Sequence, residues 1–177
     1  RGVDTGLFKP GPKPEWASDL PGPVMLYVGR LAVEKGLPDF LRLERPGTKL
    51  VAGDGPARAS LERTHPNVHF LGAKFGEDLA EAYRAADVFV FPSRTDTFGL
   101  VMLEALASGI PVAAYPVMGP VDVIGDAPVG CLHEDLDTAI NHALPASHTE
   151  CRAYAERFSW AACAALFRSY LAPFKHR

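Results

Sequence analysis

Short apolar runs recur along the chain, each closed by glycine or polar residues and followed by a stretch with helical spacing. Residues 24–28, VMLYV, form the first run, and 49–52, 68–71, 88–91 and 111–115 follow. Runs of this length, rich in β-branched and aromatic residues and without alternation, are the mark of strands buried on both faces. Between them, residues 37–43, 57–64, 77–86 and 98–108 carry helical patterns. Past residue 124 the pattern loosens to a strand at 129–132 and helices at 136–144, 149–158 and 159–171. Strands alternating with short helices predict a three-layer, Rossmann-like α/β domain with a mainly parallel sheet of about six strands.

The stretch from Asp87 to Ile124 organises this pattern. Val88-Phe89-Val90-Phe91 is a buried strand, Pro92 ends it, and residues 93–97 form a polar loop. Asp96 or Thr97 can cap the helix that follows. That helix is apolar nearly all round, so it is expected in the interior. Glu104 is the only charged residue from Thr97 to Val121. A carboxylate on a buried helix costs several kcal/mol unless something pairs with it or bonds to it. The helix start offers free N–H groups and a partial positive charge, an anion site one turn before Glu104. Phosphate at the amides and sugar hydroxyls on Glu104 would suit a nucleotide. Glu104 pointing at the domain edge, or capping a neighbouring loop, fits the spacing equally well.

Composition narrows the class. The chain has 177 residues, 47% hydrophobic and 22% charged, with net charge −3. That is one globular domain's worth, with no basic excess to suggest nucleic acid or an anionic surface. Cys131, Cys151 and Cys163 are few, odd in number and unpatterned, which suits reduced cytosolic thiols. No apolar run approaches the roughly 20 residues of a membrane helix. The first residue is Arg1, and the first 23 residues hold five prolines. Residues 1–23 therefore read as a linker leading into a domain at 24–177, the whole being a piece of something longer.

In parallel sheets, ligands bind outside the carboxyl ends of the strands. Gly29-Arg30, Gly53-Asp54-Gly55, Gly72-Ala73-Lys74, residues 93–99 and residues 116–122 all follow strands, so they are expected on one edge. Arg30 and Lys35 suit a diphosphate there, Arg as a fork and Lys as a point charge. A solvated loop with a local Glu34 pair is the plainer reading of the same residues. Gly53-Asp54-Gly55-Pro56 suits a tight turn and helix start. The six histidines show no metal-ligand spacing, and no G-x-G-x-x-G follows the first strand, which argues against dinucleotide binding.

Asp96-x7-Glu104 within TDTFGLVMLEALASGIPV resembles the E-x7-E signature of retaining GT-B glycosyltransferases of group 1, also called family 4, with Asp in place of the first Glu. VGRLAVEKG, GDGP, FLG and the leading RGVDTGLFKP are similar to further segments of that family. The resemblance covers about residues 1 to 125 well. It implies the C-terminal, donor-binding half of a GT-B fold, with the N-terminal acceptor domain absent. It implies retaining transfer from a nucleotide diphosphate sugar, without cofactor or metal, because Arg30 and Lys35 neutralise the diphosphate. Arg30, Lys35, Asp96 and Glu104 form the implied catalytic set, with Asp96 on sugar hydroxyls and Glu104 on the ribose. Gly29, Gly53, Phe70, Leu71, Gly72, Thr97, Phe98, Gly99, Leu100 and Val101 are the implied donor-binding residues. The acceptor, a lipid or a glycan, is left open. The implied setting is cytoplasmic, with any hold on the inner membrane carried by the missing domain. Two competing readings are a sugar-nucleotide epimerase of the same fold and a non-catalytic nucleotide-binding module.

Overall fold

The computed structural model describes residues 2–96 and 98–171. Thr97, given above as a helix cap and a donor contact, lies outside the described residues. Six strands, β1 (Val24–Val28), β2 (Thr48–Ala52), β3 (His69–Gly72), β4 (Val88–Phe91), β5 (Val112–Ala114) and β6 (Gly130–Leu132), form one sheet in the order β3-β2-β1-β4-β5-β6. Every neighbouring pair is parallel, as the alternation of strand and helix predicts.

Alternate residues of each strand feed two separate cores. Leu26, Val28, Phe89, Phe91, Val112 and Ala114 face one way, onto α3 (Gly76–Arg84), α4 (Leu100–Ala107), α5 (Met118–Val123) and α7 (His148–Glu156). Met25, Tyr27, Val51, Val88, Val90 and Ala113 face the other way, onto α1 (Leu37–Leu41), α2 (Arg58–Thr64) and α6 (Leu136–Ala143). At β1, β4 and β5 both faces are dry, which is why these strands read as unbroken apolar runs. The last helix among the described residues is α8 (Trp160–Ser169). Among the described residues, no helix is long and apolar enough to cross a membrane.

Strand order creates the binding edge. The chain lays β1, β2 and β3 outward on one side, then returns to place β4 on the other side of β1. The helix after β1 packs on one face and the helix after β4 on the other. The two connecting loops therefore diverge and leave a crevice between them.

The leading residues are laid against the domain. Val3 and Phe8 are buried, and Arg152 donates to the carbonyls of Phe8, Ala107 and Thr5 at 2.8, 2.9 and 3.0 Å. One guanidinium thus ties this segment to the end of α4.

Two local details need correction. Residues 118–123, given above only as a stretch that follows a strand, form a helix, and Pro120 is tolerated because it lies in the first turn, where its missing N–H costs nothing. Helix α4 starts at Leu100 rather than Phe98, with Gly99 as its N-cap in the left-handed region at φ 73°. Gly99 has no side chain to cap α4, and the Asp96 carboxylate pairs with Lys35 instead.

Candidate functional site

The crevice is a cavity of about 580 Å³ at the carboxyl ends of β1 and β4. The β1 side contributes Gly29, Arg30 and Lys35, and the β4 side contributes Asp96, Phe98, Gly99, Leu100 and Val101. Two loops that are far apart in sequence so meet as the strand order requires.

The β1 loop is braced from below. The Tyr27 hydroxyl donates to the Arg30 carbonyl at 2.9 Å. Burial, followed by the nearby charges of Asp96 and Glu34, pushes the Tyr27 pKa well up, so it remains a protonated donor. From the side, Leu31 N donates to the Asp54 carbonyl at 3.0 Å and Ala57 N to the Leu31 carbonyl at 3.1 Å. Gly53 sits against Gly29, where an added Cβ would lie 1.9 Å from the Gly29 oxygen. Only glycine permits that approach. The Gly-Asp-Gly-Pro turn thus sets the height of the Arg30 loop.

The β4 loop is braced to the β1 loop across the crevice. Lys35 Nζ lies 2.6 Å from Asp96 Oδ1, with side chains 27% and 23% exposed. Thr95 Oγ1 donates to the Glu34 carbonyl at 3.3 Å. Arg94 stacks on the Tyr115 ring at 3.6 Å and pairs with Glu134 at 3.3 Å. The Tyr115 hydroxyl in turn donates to Asp39 at 3.0 Å, which ties the loop to α1. Arg30 is exposed, and its guanidinium has no hydrogen bond or ion pair among the described residues. Opposite it, α4 opens from Gly99, which has no capping side chain of its own, and its first amides bring a partial positive charge to the cavity wall.

Glu104 sits one turn beyond Val101, half-buried, and does not line the cavity. The Tyr83 hydroxyl donates to its Oε2 at 2.8 Å. Burial raises the Glu104 pKa and the Tyr83 bond partly offsets that rise.

A second cavity of about 320 Å³ adjoins the first, sharing Val28, Gly29 and Arg30 with it. Gly53, Lys74 and Phe75 help to line it. Gly72 lies beside it and accepts from Gly53 N at 2.8 Å through its carbonyl. Phe70 and Leu71 line neither cavity, since they turn to opposite faces of the sheet.

Several lining residues carry no signal that singles them out in the sequence. Tyr27 and Phe91 stand at the carboxyl ends of their strands, so the edge rule reaches them only by position. Glu34 and Phe75 arrive through the geometry of their connecting segments, whereas Ser93 lies in the 93–99 stretch expected on this edge. Phe75 is 80% exposed, an uncovered aromatic at a cavity rim. Among the described residues, no group of three or more His, Cys, Asp or Glu is placed to hold a metal ion.

The model of the family "Glycosyl transferases group 1" matches residues 22–145. A GDP-mannose-dependent alpha-mannosyltransferase of Mycobacterium tuberculosis is 39% identical over 81% of this chain and 41% of its own length. The chain thus spans about two fifths of that relative. A sucrose-phosphate synthase from Thermosynechococcus elongatus superposes with a TM-score of 0.78 at 28% identity, over 95% of this chain and 51% of the other. Anabaena Alr3699/HepE, solved with UDP and glucose, superposes with a TM-score of 0.74 at 21% identity, over 97% of this chain and 56% of the other, and attests the fold alone. The sheet and its flanking helices match these two structures, and with the family model matched over residues 22–145, this chain belongs to the group 1 glycosyltransferases.

Proposed function

We propose that the chain is the donor-binding half of a retaining glycosyltransferase that moves a hexose from a nucleotide diphosphate sugar. One observation carries this reading: Arg30, the Lys35–Asp96 pair and the N-terminal end of α4 face one another across a single cavity. A diphosphate needs positive charge and fixed N–H donors on both sides, and it leaves as an anion. Donors already held in place stabilise that charge without reorganising. Arg30 and Lys35 supply the charge that a divalent cation would otherwise bring, so the reaction is read as metal-independent. Asp96 takes a hydroxyl of the sugar and Glu104 the ribose. The base enters the second cavity, near the backbone of Gly72 and the ring of Phe75. No side chain of the cavity is cast as a covalent nucleophile.

The N-terminal domain, which the relatives' greater length leaves room for, would bring the acceptor, a lipid or a glycan, and any hold on a membrane. Residues 24–177 serve the donor alone, and residues 1–23 lead in from that other domain.

Calorimetry on the 177-residue chain with GDP-mannose, UDP-glucose and ADP-glucose, with and without EDTA, tests the reading. Binding of one donor, unaffected by EDTA and without sugar transfer, is expected. No binding of any of the three, or transfer by this chain alone, would overturn it. GDP-mannose is the first donor to try, being named for the 39% identical relative.

A further inference from the structure

We propose that Tyr83 is a positioning residue for the Glu104 carboxylate, which it holds by one oxygen so that the other can accept from a ribose hydroxyl. This rests on the reading of Glu104 as the ribose acceptor. Tyr83 is fully buried on α3. Its ring stands edge-on to Phe8, centroids 5.6 Å apart at 88°, and tilts against Phe89 at 5.8 Å. Flanked by these two rings, it has one direction for its hydroxyl, toward α4.

The hydroxyl meets α4 at two points. It donates to Glu104 Oε2 at 2.8 Å and to the Val101 carbonyl at 3.2 Å. Val101 lines the cavity, so the bond grips the helix directly behind the cavity wall. Among the described residues, Tyr83 is the only hydrogen-bond donor to the Glu104 carboxylate, and Oε1 has no donor. A glutamate side chain has three rotatable bonds, and one charge-assisted bond from a fixed ring removes most of that freedom. Both burial and the Glu104 charge raise the Tyr83 pKa, which keeps its proton in place as donor.

A staple between α3 and α4 would use the same contacts, so the test must separate stability from ribose recognition. The affinities of GDP, UDP and ADP are each compared with those of their 2′,3′-dideoxy forms. The wild-type chain is expected to prefer the ribose form of its best nucleotide by about tenfold or more, the scale of a charge-assisted hydrogen bond. Tyr83→Phe keeps the ring and removes only the hydroxyl. It is expected to reduce that preference as far as Glu104→Gln does, with the dideoxy affinity held within about twofold. Replacing Tyr83 by 4-aminophenylalanine restores an N–H donor and is expected to recover part of the preference. This variant also serves if Tyr83→Phe does not fold.

If Glu104→Gln loses the preference but the Tyr83 variants keep it, Tyr83 is a staple and the proposal fails while the Glu104 reading stands. Equal losses for ribose and dideoxy forms in Tyr83→Phe likewise mean a staple. If the wild type has no preference, or Glu104→Gln retains it, the Glu104 reading fails and takes the proposal with it. Binding of none of the six nucleotides overturns both.

Discussion

Lys35 Nζ and Asp96 Oδ1 stand 2.6 Å apart across the crevice, so the lysine expected to meet phosphate is already neutralised by the acid expected to meet sugar. A free nucleotide diphosphate can draw Lys35 away only by leaving Asp96 uncompensated beside a phosphate. A nucleotide sugar replaces both halves of the pair, phosphate for Lys35 and a hydroxyl for Asp96. Asp96→Asn is therefore expected to tighten binding of the free diphosphate. A partly exposed ion pair is worth about 0–1 kcal/mol, so the gain is up to about fivefold. The nucleotide sugar should bind more weakly to this variant, having lost a charged acceptor worth about 1.5–3 kcal/mol. Paired calorimetric titrations with both ligands decide the matter. Parallel losses tracking a lower melting temperature would make Asp96 a stabilising residue only.

Arg30 separates binding from stability more cleanly. Its guanidinium has no partner among the described residues, and the bond from Tyr27 goes to its backbone carbonyl, which alanine retains. Arg30→Ala is expected to leave stability within about 0.5 kcal/mol of wild type. Nucleotide affinity should fall by about 1.5–3 kcal/mol, the worth of a charge-assisted hydrogen bond. Unchanged affinity would remove Arg30 from the diphosphate site.

Phe75, 80% exposed at the rim of the second cavity, offers a face for a nucleotide base. Phe75→Ala should cost nucleotide diphosphate binding about 1–3 kcal/mol, as lost base stacking does elsewhere, without changing the melting temperature. Competition between a nucleotide diphosphate and inorganic pyrophosphate locates the effect. A loss of equal size for pyrophosphate would place Phe75 at the phosphates instead of the base.

What the sequence made legible follows from burial. Strands covered on both faces must be apolar throughout, so β1, β4 and β5 announce themselves, and a parallel order then dictates which loops converge. Gly29, Arg30, Lys35, Asp96 and Gly99 meet at one cavity for that reason. Side-chain partnerships were not legible, because they depend on how distant elements meet. Asp96 read as a helix cap from local spacing, yet its partner lies 61 residues away. Glu104 was recognisable as a charge in need of a partner, but Tyr83 is chosen by the packing of α3 on α4, not by spacing. Phe70 and Leu71 fell away from the cavities because strand alternation sends them to the two cores. Helix α5 was obscured by Gly119-Pro120, a pair that locally signals a turn.

Glu104 also carries a pH signature. Its ordinary pKa of 4.5 is raised in the fold, first by burial, with the Tyr83 hydrogen bond pulling the other way. Between the unfolded pKa and the higher folded one, the native state binds more protons than the unfolded state. Stability therefore falls as pH rises through that window, and the cost of the buried charge is complete above the folded pKa. Glu104→Gln cannot ionise, and its amide oxygen can still accept from Tyr83. The variant is therefore expected to be as stable as wild type or more so at pH 7. That advantage should shrink as pH is lowered and vanish below about 4.5, where Glu104 is protonated in both states. Nucleotide affinity at pH 7 should move the opposite way, because the ribose loses a charged acceptor. Denaturant titrations at pH 4 and pH 7, with calorimetry at pH 7, measure both. A variant that is less stable at pH 7 yet binds nucleotide normally would show that the carboxylate serves the fold and not the ligand.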